Sequence, residues 1–468
     1  MFPTDMLSSS DNVAIVGAGL AVSSFLQPYF HPLPIADDPK GMAAALALHE
    51  LSISCSLYEM RETGAAPPTS SGALMLSPNA LRILDRFGVY SQVVEKSYPF
   101  ENVYYKNAAE ETIDHYPLGG EAAYGYKAMR IYRQDILDIL LAACTERNIP
   151  VHFGKKFAQV IDESEGRVVF KFADGTIETA SLLIGADGIH SKLRDYITPG
   201  IQKEFTGLVG LTWEVETKNL RIPADKDYKF PVTVLGSNGA FVLAPQRQDG
   251  SAMLAGMPVP FEERDRHGWS SLLADKDGLF ERVAKNVDVW PDIVKSSIED
   301  INWVTANVWP FYRIPRLTDW TSSQKHQRVV ILGDAAHAIP PTTGQGASQA
   351  FEDVFSLALI LSELKKNKNK NLKWGDALEA WQKMRQDRID DLLLLTKQLN
   401  NKRLPLEKQK LLPEGEVWRD ESAVNPSQMA WLYVPNIEEA IKVWAEDTKK
   451  AAPSGGCPIS RFFNRIAA

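Results

Sequence analysis

Gly333-Asp334-Ala-Ala-His337-Ala-Ile-Pro340-Pro341-Thr-Thr-Gly344-Gln-Gly346-Ala347 follows directly on the apolar run Val329-Val-Ile-Leu332. The run reads as a strand buried on both faces. An acidic residue at the end of such a strand can hold the hydroxyls of a polyol. The Pro-Pro pair and the Gly-Gln-Gly that follows make a rigid turn whose free amides open a helix. That helix runs on through Gln349-Ala-Phe-Glu352-Asp353 to about Lys365. A helix start of this kind stabilises negative charge placed beside it. No ordinary loop needs the whole string, which makes it the most specific signal in the chain. His337 sits inside it and is weighed as structural.

Two other strand ends carry related signals. Val13-Ala-Ile-Val16 runs into Gly17-Ala-Gly19, where glycines let the backbone turn tightly and approach a pyrophosphate. A second strand, Ile53 to Tyr58, ends at Glu59, an acid placed to accept ribose hydroxyls. The Ala- and Leu-rich stretch from Gly41 to Leu51 reads as a helix between them, completing a βαβ pattern. Many strand-to-helix turns contain glycine, so Gly17-x-Gly19 alone decides little. The third strand end is Gly185-Ala-Asp187-Gly188-Ile-His-Ser191-Lys-Leu-Arg194, directly after Leu182–Ile184. A simple Asp-Gly turn with a serine helix cap would also account for it.

The rest of the chain organises around these ends. Helices are expected at Pro78–Phe87 and Arg133–Arg147, and strands around Val151–Gln159, Arg167–Ala173 and Thr176–Ile184. Mixed strand patterns with Pro and Gly turns fill Phe205 to Val308, as in a separate sheet domain. Lys365–Lys373 reads as a solvated loop, residues 376 to about 400 and Ile437–Lys449 as helices, and Ala452–Pro458 as a loop. The 468 residues are 44% hydrophobic and 24% charged, enough apolar material for two or three packed units. A net charge of −8 and an isoelectric point near 5.6 argue against a nucleic-acid surface. Cys55, Cys144 and Cys457 are too few and too scattered for a disulfide framework or a zinc site, and no cluster has metal-ligand spacing. Met1 to Asn12 lacks the apolar core of a signal peptide, and no run is long enough to span a membrane. A cytoplasmic location is the expectation.

Together these elements resemble the class A FAD-dependent aromatic monooxygenases, the family of para-hydroxybenzoate hydroxylase and salicylate hydroxylase, in its fungal type. The likeness runs from about Asn12 to Asn400. It includes Ser77-Pro-Asn-Ala-Leu-Arg-Ile-Leu-Asp-Arg-Phe-Gly88, Arg133 in Tyr-Arg-Gln-Asp-Ile-Leu, and Trp309-Pro-Phe-Tyr-Arg313 followed by Trp320. The fold it implies is α/β, with a Rossmann-like FAD-binding domain, a mixed β-sheet substrate domain and a C-terminal helical region. The implied division is 11–200 for the first part of the FAD-binding domain, 201–314 for the sheet domain, 315–375 for the second part, and 376–468 for the helical region. By the same likeness Gly17, Gly19, Gly41 and Glu59 serve the ADP half of FAD, and Gly72 and Arg133 are further contacts. Asp187 and Gly188 lie near the pyrophosphate and the nicotinamide path. Asp334 holds the ribityl chain, and Gly344, Gly346 and Ala347 lie against the isoalloxazine.

The resemblance also implies the chemistry. NAD(P)H reduces the flavin, O2 adds to give a C4a-hydroperoxide, and its distal oxygen passes to an electron-rich carbon of a small molecule. Aromatic catabolism or secondary metabolism is the expected setting. Many relatives carry an arginine on the first strand after the Asp-Gly segment, but Gly210-Leu-Thr-Trp213-Glu214 has none, so no catalytic residue is assigned. Trp213 fits either a pocket wall or ordinary core. Epoxidation or oxidative rearrangement of a larger metabolite is the alternative within flavin enzymes. The halogenase string Trp-x-Trp-x-Ile-Pro does not occur. A homodimer is left open.

One feature breaks the pattern. Gly-x-Gly-x-x-Gly should lead at once into a helix of small residues, yet Gly-Ala-Gly-Leu-Ala21 runs into a 19-residue stretch, Val22 to Lys40, before Gly41-Met-Ala-Ala-Ala-Leu. Gly17 and Glu59 lie 42 positions apart, and removing that stretch leaves 23, near the roughly 20 expected. Pro28, Pro32, Pro34 and Pro39 keep the stretch from being helical. Translated intron is one reading: Val-Ser can be encoded by GTGAGT or GTAAGT, Ala-Asp can contain CTGAC, Lys can end in AG, and 19 codons make 57 nucleotides. A genuine surface loop is the other. A third class of function follows from it, an FAD-deficient inactive form caused by residues 22–40.

Overall fold

The computed structural model describes residues 12–17, 39–62, 72–237, 239–366, 372–421, 425 and 427–450. Its centre is a five-stranded sheet in the order Val329–Ile331, Leu182–Gly185, Val13–Val16, Cys55–Tyr58, Val151–His152, parallel throughout. Val13 pairs with Leu182 on one side and Cys55 on the other. The four longer strands are buried on both faces, as parallel strands between helices must be.

The helix Lys40–Glu50 buries every residue from Lys40 to Leu48. Its alanines leave little volume between backbones, so it packs closely against the long helix Gly346–Lys366 and against Arg133–Glu146. It starts one residue earlier than its sequence pattern suggests. Residues 18–38, including Gly19 and nearly all of the interrupting stretch, lie outside the described residues.

Val151–Gln159, expected as one strand, is divided. Val151–His152 closes the parallel sheet, the chain turns at Gly154 with φ +70°, and Phe157–Ser164 begins a separate antiparallel sheet. Thr176–Ile184 divides likewise into Ile177–Ala180 and Leu182–Gly185. The small sheet packs Phe170 and Phe172 against Tyr58.

A seven-stranded mixed sheet forms the second layer system, in the order Asn307–Arg313, Glu204–Glu216, Ala252–Pro260, Gly239–Pro245, Val232–Gly236, Asn102–Lys106, Thr112–Pro117. Two of its strands therefore come from residues 102–117, and Asn102–Lys106 joins by a parallel pairing to Val232–Gly236. Three helices that the sequence pattern did not reveal, Arg266–Ala274, Lys276–Ala284 and Asp292–Glu299, also lie within 205–308. Trp213, Phe241, Trp290 and Ile293 share one core between these helices and the sheet. C-terminally, Trp374–Lys402 and Ile437–Lys450 match the expected helices, and the short helix Ala430–Tyr433 puts Tyr433 into an aromatic core with Tyr105, Tyr116, Tyr124 and Trp418.

Of the two roles open to Trp213, the structure shows core packing. The ring is 2% exposed, meets Phe241 edge-on, and donates its indole N–H to the Ser297 carbonyl at 2.8 Å. Trp213→Ala is expected to cost about 3–5 kcal/mol, measured as a lowered midpoint in urea unfolding of the purified chain.

Candidate active site at the carboxyl edge of the parallel sheet

In open parallel sheets ligands bind beyond the carboxyl ends of the strands. Four such ends converge here: Gly17, Glu59, Gly185 to Asp187, and Gly333–Asp334. Gly17 has φ +96°, and its N–H donates to the Tyr58 carbonyl at 2.9 Å. A Cβ there would lie 2.6 Å from the Ala186 carbonyl oxygen, so the turn admits only glycine. Glu59 is fully buried and its Oε1 accepts the Arg61 amide at 2.9 Å. Gly72, at φ +61°, accepts the Arg133 amide on its carbonyl, and Arg133 opens its helix with the guanidinium 5.8 Å from the centre of the Trp309 ring.

Asp187 folds back on its own segment. Its Oδ2 accepts the amides of Lys192 at 3.0 Å and Leu193 at 3.4 Å, and burial pushes its carboxyl up against the pull of these bonds. Gly188, φ +74°, starts a single 3-10 turn, and Ser191 caps the helix Lys192–Ile197 by accepting the Arg194 amide at 2.9 Å. The local explanation of this stretch thus holds, but it is not the whole of it. Arg194, which the sequence pattern did not single out, donates to the carbonyls of Ile189 and Ala335 and ties the Asp-Gly turn to the Gly-Asp turn.

Asp334 begins a one-turn helix with its side chain 20% exposed. Burial alone would push its carboxyl up, but the charges of Lys40, His337 and Arg133 hold it below the ordinary range. Lys40 comes closest, with Nζ 3.2 Å from Oδ2. His337 is structural, as read: its Nε2 lies 2.5 Å from Asp353 Oδ2, which also accepts the Gly333 amide at 2.8 Å. Ten residues on, Gly344 has φ +65°, and a Cβ there would lie 3.3 Å from Met75 Sδ and 3.8 Å from Leu118 Cδ1. Gly346 opens the helix Gly346–Lys366 with open space beside its Cα, and Ala347 is partly buried. Gly344 therefore faces apolar side chains supplied by the strand Ala73–Leu76 and by Leu118 at the rim of the seven-stranded sheet, while Gln345 turns inward, donating to the Ser77 hydroxyl at 2.8 Å and accepting from Asn79 at 3.3 Å.

Behind this turn lies a buried ionic network. Arg385 donates to Asp353 Oδ1 at 2.7 Å, to Glu352, and to Gln349. Arg388 pairs with both oxygens of Glu352, which also accepts from Asn79 at 2.6 Å. Glu352 and Asp353 lie on the helix that follows the Gly-Asp motif, but their arginine partners sit some 30 residues further on and no local pattern points to them.

The family model described as the FAD binding domain matches residues 38–380. This chain belongs to the FAD-dependent monooxygenases of class A. Salicylate hydroxylase of Pseudomonas putida is 28% identical over 376 residues, covering 74% of this chain and 80% of that protein. FAD-dependent urate hydroxylase of Klebsiella pneumoniae is 25% identical, covering 81% and 91%. Among solved structures, a salicylate hydroxylase substrate complex superposes with a TM-score of 0.69 at 20% identity, covering 95% of this chain and all of the other. The monooxygenase uses FAD, with NAD(P)H as co-substrate. Its family match begins at residue 38, within the last three residues of the interruption and just ahead of the helix Lys40–Glu50.

Two outcomes follow from this geometry. Gly17→Ala forces a side chain into the Ala186 carbonyl at a left-handed φ and is expected to cost about 1–3 kcal/mol or more, read as a lower melting temperature with less FAD retained on purification. Asp353 is pushed up by burial, yet His337 and Arg385 bring it down to about 2. Its contribution is thus complete above the unfolded carboxyl value of about 3.9 and is lost as pH falls through about 2. Asp353→Asn should lower stability at neutral pH and flatten the stability loss between these limits in urea titrations.

Proposed function

We propose that this monooxygenase hydroxylates an aromatic or similarly electron-rich ring held between the Gly344–Gly346 turn and the seven-stranded sheet. The observation that carries the reading is the company of that turn. Met75 and Leu118 stand against Gly344, and both pack on the buried aromatic core that holds Tyr116 and Tyr433. Apolar neighbours suit a flat ring better than a charged chain.

In this reading Gly17, Gly19, Gly41 and Glu59 bind the ADP half of FAD, with Gly72 and Arg133 beside it. Asp187 and Gly188 border the pyrophosphate, Asp334 accepts from the ribityl hydroxyls, and Gly344, Gly346 and Ala347 adjoin the isoalloxazine. The glycine at Gly17, the buried acid at Glu59 and the acid at Asp334 suit these tasks by residue type and position on the sheet edge. Bound FAD supplies the two-electron reduction of O2 that makes one oxygen atom transferable. The chain does the rest. The helix starting at Gly346 presents unpaired amides that favour negative charge on a reduced ring. Met75 and Leu118 keep water from the reacting face, and the rigid Pro340-Pro341 turn holds the ring plane against the substrate side.

Among the described residues no helix is long and apolar enough to cross a membrane. A cytoplasmic setting is supported by the free, buried thiols of Cys55 and Cys144.

The test follows NAD(P)H oxidation by the FAD-loaded chain across phenols, hydroxylated aromatic acids and hydroxylated nitrogen heterocycles under labelled O2. At least one ring compound should accelerate oxidation and gain a single labelled oxygen as a ring hydroxyl. A product bearing an epoxide or rearranged skeleton, or stimulation by non-aromatic compounds alone, overturns ring hydroxylation.

A further inference from the structure

Lys40 is the last residue of the interrupting stretch and the first of the helix Lys40–Glu50, yet it is only 1% exposed. Lysine is almost never fully buried without a reason. Here the side chain leaves the start of its helix and lies across the end of the neighbouring strand. A Cβ placed on Gly333 would lie 2.4 Å from Lys40 Cδ, 2.8 Å from Cε and 2.7 Å from Nζ. Its ammonium then stands 3.2 Å from Asp334 Oδ2. Both the stem and the charge therefore occupy the carboxyl edge of the sheet at the acid that the cofactor assignment gives to the ribityl hydroxyls.

The position follows from the sequence. In an uninterrupted Gly-x-Gly-x-x-Gly the residue ahead of the third glycine would be Ala21, whose methyl cannot reach across to Gly333. The interruption puts Lys40 ahead of Gly41 instead. A helix start repels a cation, so the ammonium gains by turning to Asp334. Gly333, at φ +57°, leaves room for the stem to lie over it.

We propose that Lys40 is an intramolecular competitor for FAD, filling the space over Gly333 and engaging Asp334 so that the cofactor binds only after the lysine is displaced. The inference rests on Asp334 as the ribityl contact. FAD affinity is accordingly lowered by the free energy of that displacement, and shortening the side chain raises it.

The experiment titrates FAD into the flavin-stripped full chain and follows quenching of flavin fluorescence. Lys40→Ala should lower the Kd about tenfold or more, the scale of one charged contact released. Lys40→Arg, which keeps the charge and does not shorten the side chain, should leave the affinity unchanged or weaker. Lys40→Ser is equally short and replaces the alanine variant if that folds poorly. Unchanged or weakened binding in the short variants overturns the proposal, the weakened case showing that the lysine serves the cofactor. Adding Asp334→Ala to Lys40→Ala should abolish the gain. If FAD binding is instead indifferent to Asp334 in that background, the ribityl assignment itself fails, an outcome distinct from failure of the Lys40 substitutions.

Discussion

A single buried carboxylate, Asp353, fixes the geometry of the strand end on which the proposed flavin site depends. Its two oxygens accept from the Gly333 amide, the His337 ring and the Arg385 guanidinium. Removing a carboxylate from water costs several kcal/mol, and that cost is offset only when the geometry is good and the remaining lone pairs are filled. Asp353 meets the condition by gripping both ends of the one-turn helix Asp334–His337 at once. The turn carrying Asp334 thus cannot shift relative to the helix Gly346–Lys366 without breaking buried hydrogen bonds to Asp353. Its neighbour Glu352 points a different way round the same helix, to Asn79, Arg385 and Arg388. Two adjacent acids therefore lock three separate helices to the loop behind the cofactor edge.

This arrangement explains what the sequence disclosed and what it hid. The parallel strands, the glycine turn at Gly17, the Asp-Gly turn and the Gly-Asp segment were legible because each is a local pattern, an apolar run closed by a residue that the next turn requires. Gly17 needs its positive φ within one strand end, and Ser191 caps a helix three residues away. The anchors of Asp353 and Glu352 were not legible, because Arg385 and Arg388 lie 32 and 36 positions further on and only the packing of two helices brings them back. The same holds for Asn102–Lys106, whose parallel partner lies over a hundred residues downstream. The three helices between Arg266 and Glu299 were hidden for another reason. They are short, with apolar stretches that also fit a strand pattern, and periodicity does not separate the two at that length.

The interruption of the glycine turn tests how far the fold depends on that turn. The helix Lys40–Glu50 is held by its own buried face, from Met42 to Leu48, against the long helix Gly346–Lys366 and against Cys144 of Arg133–Glu146. None of those contacts passes through residues 22–38. Closing a longer loop adds only a few tenths to about one kcal/mol for each doubling of its length. The strand and the helix can therefore keep their places with a long connection between them. The fold is insulated from the insertion by the helix's packing.

The cofactor edge has no such insulation. A helix of this kind contributes to a pyrophosphate site through its first amides and through the smallness of the residue that enters it. Lengthening the connection changes the identity of that residue even when the helix does not move. Lys40 enters where a methyl would, and its stem lies over the glycine at the end of Val329–Ile331 and reaches the carboxylate beyond. The cation is of the right sign to attract a phosphate from a distance, but a charge already paired at 3.2 Å and desolvated has little field left to offer. The stem, meanwhile, keeps its volume. Steric occupation of the strand end therefore outweighs electrostatic attraction in setting what this form of the chain can bind.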